Sequence, residues 1–436
     1  MFTELTPAQY IMAQLGAELG FDKESWSVRL NEGIKAFKAI QAGEMALPEE
    51  QVTMSYVQAL RDLIAGKATS VPVRLDWGSS GPSILSAIMR DTHGMVSTGA
   101  LANKPGDLYG ALGEALRIPT THRKVVKGAT VPFIYGGTAG IKQWLAPYLG
   151  VDAKKAVKVF EQAYETKLPG AYSVRKACLL SWQSDKTCWR WVTPDGYECY
   201  FVSTGKKVAT YELYTLDGKK LSVTVAHKEL TTRKQGEEHT QGTGAHMVHA
   251  LDAYILREII RRGRTTLLQD NFNNYLVRGT TEVVGDDVVQ KCYKAYQLTG
   301  VCSMAVLEHI TQETVVPAKW YDAIKQVVTH LCFGDYSVLP VHDEFGTLAD
   351  KVGILRRTAN AVYADLYKGH IAEYWQDVLE AKKLDRADEE LLKATHGFVI
   401  GRARNTISTE RVPMLTPWCF DEKVYKALLE SDYLIC

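Results

Sequence analysis

The chain has 436 residues, 46% hydrophobic and 23% charged, which allows a sizeable core and roughly two to four domains or subdomains. A net charge of +1 excludes nucleic-acid binding by global charge, so any such binding needs basic residues gathered locally. There is no apolar run of about eighteen residues and no basic-then-apolar leader, so neither a membrane span nor a secretory signal is expected, and eight scattered cysteines without a C-x-x-C pair read as free thiols of a reducing cytosol.

Residues 5–65 carry three helical patterns. Thr6-Pro7 supplies an N-cap and first position, a second pattern covers Trp26–Ile40, and Pro48-Glu49-Glu50 opens a third that ends at Gly66. All three read as packing. Val71, Val73 and Leu75 then alternate as a half-buried strand with Asp76 at its end. A turn through Gly78–Gly81 leads to a helix from Pro82 carrying Ile84, Leu85, Ile88 and Met89. Asp76 is either a turn residue or a metal-binding carboxylate.

Asp107–Leu116 is a short helix. The next stretch, T-T-H-R-K-V-V-K-G-A-T-V-P-F-I-Y-G-G, places Arg123, Lys127 and Tyr135 within roughly a 120° sector of one helix. Two cations and a phenol facing one way suit a triphosphate as well as a solvated basic face. Pro132 should kink this helix, and Gly136-Gly137 should stop it. Residues 152–182 are again helical. Two hairpins follow, turning at Pro194-Asp195-Gly196 and Asp217-Gly218, the second with basic residues Lys219, Lys220, Lys228, Arg233 and Lys234 that could probe nucleic acid.

His246, His249 and Asp252 stand where a Gly-rich loop enters a helix; with His239 the histidines make a weak zinc pattern. Residues 263–335 look like an inserted, mostly helical unit. Its Asp286-Asp287 mimics the metal motif of viral RNA-templated polymerases but has no partner motif. Tyr336–Thr347 (Y-S-V-L-P-V-H-D-E-F-G-T) is an apolar strand running into a tight turn that pushes Asp343 out. Helical patterns over 350–384 and 386–395 and a final helix with an apolar tail complete the chain.

Asp76 and Asp343 can meet only through the fold. If they do, the two carboxylates resist joint ionisation unless cations intervene. Two Mg²⁺ ions, roughly 3.5–4 Å apart, would bind them and clamp an in-line phosphoryl transfer.

Taken in order, D-W-G-S-S-G, R-x-x-x-K-x-x-x-x-x-x-x-Y-G and H-D-E-F-G-T resemble motifs A, B and C of the single-subunit RNA polymerases of bacteriophages and mitochondria. V-H-A-L-D and the terminal L-L-E-S-D-Y resemble two further segments of that family, and the resemblance covers about residues 70–436. It implies an α+β, mostly helical right hand with palm, fingers and a small antiparallel palm sheet, with the N-terminal domain and most of the thumb absent. The implied division is an N-terminal helical segment 1–68, palm 69–92, fingers 93–248 with a specificity-loop-like hairpin, a palm-proximal helix 249–262, an insertion 263–335, and palm with C-terminal helices 336–436.

The resemblance further implies that Asp76 and Asp343 hold the two Mg²⁺ ions with the Trp77 backbone carbonyl assisting. Arg123 and Lys127 would grip the triphosphate, while Tyr135, Gly136 and His249 would sense the nucleotide. Family A DNA polymerases share the R-x-x-x-K…Y-G pattern and V-H-D-E, but place glutamate where this chain has Gly81, which leaves room for a 2′-hydroxyl. The expected partners are ribonucleoside triphosphates, a DNA template and RNA product, a second polymerase chain supplying the missing part, and an accessory single-stranded-DNA-binding factor, in the cytoplasm of a bacterial host. A DNA polymerase, a primase and a non-catalytic DNA-binding subunit remain alternatives. Trp77 departs from the family pattern, which has glycine there, and Pro132 departs within motif B.

Overall fold

The structure, a computed structural model, describes residues 2–181, 188–202, 204–230, 242–331, 334–341, 343–380 and 412–436, without the side chains of 204–208 and 226–230. It is an α+β arrangement, mostly helical, with small and chiefly antiparallel sheets. No described helix is long and apolar enough to cross a membrane.

Helices α1 (Pro7–Gly16), α2 (Trp26–Ala42) and α3 (Gln51–Ile64) open the chain. The Thr6 hydroxyl accepts from Gln9 N while the Gln9 side chain accepts from Thr6 N, a reciprocal cap that fixes where α1 begins. These helices do not stand apart. Tyr10, Leu15, Trp26, Phe37 and Tyr56 join the same core as the strands and the C-terminal tail. Buried Arg356 ties the ends together: it donates to Thr3 O at 2.7 Å and pairs with Asp432 at 2.9 Å, and its guanidinium lies 4.6 Å from the Trp26 ring.

Next come β1 (Val73–Asp76), α4 (Ser80–Ile88), α5 (Thr92–Ser97), α6 (Leu108–Leu116), α7 (Arg123–Ile134), α8 (Ala146–Leu149), α9 (Ala153–Lys167) and α10 (Pro169–Leu180). The hairpins are β2 (Cys188–Val192) with β3 (Glu198–Val202), and β4 (Thr204–Tyr214) with β5 (Lys220–Leu230). α7 does not break at Pro132; it runs through to Ile134, because the proline sits in the last turn, where few downstream bonds remain to be lost. Gly140 packs directly on the Gly128 carbonyl, the acceptor that Pro132 cannot serve.

α11 (Thr243–Arg262) is one continuous helix, beginning six residues before the boundary expected at 249. Burial of Thr243, Met247, Val248 and Leu251 outweighs the low helix propensity of the G-T-G-A stretch, and Gly244 lets α11 lie against Cys178 of α10. There follow α12 (Thr265–Tyr275), β6 (Val277–Gly279), α13 (Asp287–Thr299), α14 (Ala305–Glu308), β7 (Val315–Pro317) and α15 (Ala318–Thr329). Residues 268–331 supply every buried member of a second core around Phe272, Val306, Trp320 and Ile324. Asp286 caps α13, accepting from Val289 N at 2.9 Å, and lies 3.5 Å from His309 Nδ1, while Asp287 pairs with Lys291.

The chain ends with β8 (Leu339–Val341), β9 (Glu344–Thr347), α16 (Val352–Lys368), α17 (Ile371–Glu380) and α18 (Glu422–Leu429). The pattern over 350–384 is therefore two helices: α16 stops at Gly369, whose extended ψ of −178° cannot continue it. The helix expected over 386–395 lies outside the described residues.

Candidate active site

The site is organised by a three-stranded antiparallel sheet ordered β1–β9–β8. Val73 pairs with Thr347, Leu75 with Phe345 and Asp76 with Glu344, while Val341 pairs with Glu344 across the hairpin. Leu75 and Phe345 are buried and pin the register, since a one-residue slip would turn both to solvent. Pro340, which has no N–H to give, stands in the edge strand β8. Beyond the ladder, Trp77 N donates to Asp343 O at 3.0 Å. Asp76 and Asp343 thus stand at the same end of the same strand pair. On the other side of β1, Asp76 and Cys436 exchange backbone hydrogen bonds at 3.2 and 3.1 Å, so the tail braces the aspartate.

Burial raises the Asp76 carboxyl above its ordinary range, the negative charge of Asp343 raises it further, and Lys23 opposes both. Lys23 reaches the site from the loop after α1, which the sequence had marked as packing only. Asp76 also lines a cavity of about 250 Å³ with Glu18, Asp22, Lys23, Arg74 and Glu344. Glu344 is distinguished from Asp343 by its ion pair with Arg74 on the same face. The Ser80 hydroxyl lies 3.4 Å from Asp343 Oδ2. The Trp77 ring is buried, edge-on to Tyr363 at 5.8 Å, so only its backbone is placed to serve the site.

α7 brings the cationic pair. Arg123 donates to Asp107 at 2.9 and 3.2 Å, and its guanidinium lies 4.9 Å from the Tyr109 ring. Lys127 Nζ is 5.9 Å from the same ring and has no carboxylate partner among the described residues. Burial raises the Tyr109 hydroxyl, opposed by a hydrogen bond with Ser79 and the charge of Arg123, while Asp343 and Asp76 raise it further. Tyr109 therefore bridges the cations and the carboxylates, a role its sequence context did not signal.

Tyr135 closes the end of α7, and Gly136 at φ 98° turns the chain away. Its ring stacks on His249 of α11, centroids 5.1 Å apart and planes 25° apart. Its hydroxyl would lie 3.1 Å from a Cβ at Gly81, with Val248 at 3.5 Å, so Gly81, Tyr135 and α11 converge. Three residues beyond His249, Asp252 has its carboxyl pushed up to about 6 by burial and by Asp343. The V-H-A-L-D spacing, one helical turn, was the signal for it.

Two basic residues of the β4–β5 hairpin are paired within it. Lys219 pairs with Asp217 and Lys220 with Glu212; Arg233 and Lys234 lie outside the described residues, as does the Lys228 side chain. His239 of the zinc pattern lies outside them too, and no group of three or more His, Cys, Asp or Glu side chains is arranged for a metal among the described residues. Asp195 stands in the expected turn between β2 and β3, and it is buried. Burial alone would raise its carboxyl, but hydrogen bonds from Arg257 and Thr193 and the charges of Arg257 and Arg261 hold it down at about 2.

No known family model matches this chain, and no curated protein matches its sequence.

Proposed function

We propose that this chain synthesises RNA on a DNA template from ribonucleoside triphosphates. The observation that carries the reading is the meeting of three distant segments: Asp76 beside Asp343 across β1 and β9, with the Arg123–Lys127–Tyr135 face of α7 joined to them through Tyr109 and Gly81. On this reading the three-stranded sheet is the palm, and α7 belongs to the fingers.

The donor set fits Mg²⁺, a hard cation taking carboxylate and carbonyl oxygens, and the mutual repulsion felt at Asp76 is what such a cation relieves. Asp76, Asp343 and the Trp77 carbonyl would hold it. When bound, Mg²⁺ supplies activation of the attacking hydroxyl and neutralises charge on the departing pyrophosphate. Arg123 and Lys127 bind the triphosphate, with Arg123 exchanging Asp107 for phosphate oxygens. Tyr135, held against His249, positions the sugar and base, and Gly81 leaves the 2′-hydroxyl unobstructed.

The test is extension of a primed single-stranded DNA template with Mg²⁺, comparing ribo- and deoxyribonucleotides, in the natural chain and in Asp343→Asn. Ribonucleotide extension that falls by roughly a hundred- to a thousandfold in the variant is expected, the scale of removing one group that stabilises developing charge in a transition state. Extension indifferent to Asp343→Asn would refute the site; preference for deoxyribonucleotides would make the enzyme a DNA polymerase.

A further inference from the structure

Beside the second core, 268–331, lies a cavity of about 390 Å³ that His370 also lines, near the low end of the roughly 300–1,000 Å³ typical of ligand sites. Tyr293 and Tyr296 stand one turn apart on α13 and lean on Trp320 of α15, with ring centroids 5.0 and 6.3 Å away. Trp320 is 1% exposed, and its buried indole N–H has no hydrogen-bond partner among the described residues. Exposed Lys319 and His370 flank the aromatic wall with Gln297 beside them, and among the described residues no carboxylate lines the cavity. The wall closes tightly because α13 ends at Gly300 with φ +68°, and the His370 ring packs where a Cβ would stand.

We propose that this cavity holds a base of single-stranded nucleic acid. The tyrosine rings present π-faces that accept any base, and Lys319 is placed for the adjoining phosphate. A proline-rich peptide also stacks on aromatic grooves. It has no use for a lysine at a rim without carboxylates, whereas a polyanion does. The cavity shares no lining residue with the site around Asp76 and Asp343. Occupancy therefore does not require catalysis, and the proposal stands or falls separately from the polymerase reading.

The probe is a fluorescein-labelled oligo(dT) of about twelve nucleotides carrying 5-bromodeoxyuridine. It is bound to the full chain bearing Asp343→Asn, so that no turnover intervenes. Ultraviolet crosslinks should map to Tyr293, Tyr296 or Trp320. Adding Tyr296→Ala should weaken Kd by about fivefold or more, the lower end of a lost base–aromatic stack. Adding Lys319→Gln, at an exposed position that cannot disturb the core, should flatten the log Kd versus log salt slope by about 0.7. Crosslinks found only elsewhere would overturn the proposal, as would pocket crosslinks with both variants within about twofold of the parent. A polyproline peptide that displaces the oligonucleotide from the mapped tyrosines, and binds more tightly than it does, would assign the pocket to peptide instead.

Discussion

Replacing Asp195 by asparagine tests how the buried polar framework behind the site is held. Asp195 sits in the β2–β3 turn with a 2% exposed side chain. Arg257 donates to it at 2.7 and 3.0 Å, Arg261 at 2.9 Å and Thr193 at 2.6 Å. Its carboxyl is held at about 2 against an ordinary 3.8, so the folded state prefers the charged form. At about 1.4 kcal/mol per pH unit this contributes about 2 kcal/mol. The contribution is complete above the unfolded value of 3.8 and is lost as pH falls through about 2, with about half remaining near pH 3. Asp195→Asn also takes from Arg257 its carboxylate partner, whereas Arg261 keeps Glu308 at 3.1 Å, so the loss at pH 7 should reach about 3 kcal/mol. With a urea slope of about 3 kcal/mol per molar, the unfolding midpoint should drop by about 1 M at pH 7. The gap between natural chain and variant should narrow steadily from pH 4 to pH 3. Equal midpoints at pH 7, or a gap that does not change with pH, would refute the reasoning.

Gly81→Glu places a carboxylate beside the Tyr135 hydroxyl, 3.1 Å from the new Cβ; the ratio of ribo- to deoxyribonucleotide incorporation should fall by about tenfold or more, and an unchanged ratio would remove Gly81 from sugar selection. Asp107→Ala releases Arg123 from a half-exposed ion pair worth about 0–1 kcal/mol. The KM for the nucleotide should fall by up to about fivefold with kcat held; a rise in KM would mean that Asp107 aims Arg123 rather than competing for it.

The parts of the fold legible in the sequence were those fixed by neighbours in the chain. Thr6-Pro7 opens α1, the Asp217-Gly218 turn joins β4 to β5, and alternation at Val73 and Leu75 marks β1, because caps, turns and strand faces are decided within a few residues. Asp76, Asp343, Arg123 and Tyr135 stood out through motif spacing, and the fold brings their segments together. Lys23 and Tyr109 could not be read: each reaches the carboxylates through packing between elements far apart in sequence. Asp195 shows the same limit. Pro-Asp-Gly marks the turn that joins β2 to β3, but nothing local reveals that Arg257 and Arg261 of α11 close over its carboxylate. The start of α11 was misplaced because two glycines weigh against a helix until the burial of Thr243 and Met247 is known.

The pairing of β1 with β9 also sets a clock. Asp343 follows Asp76 by 267 positions, so at about 5–20 residues per second the ribosome delivers the second carboxylate about 13–53 s after the first. Throughout that interval β1 has neither its ladder partner nor the Cys436 backbone that braces its far side. A nascent chain therefore carries an unpaired edge at Asp76 until β9 arrives, and during synthesis that edge is open to pairing with other strands.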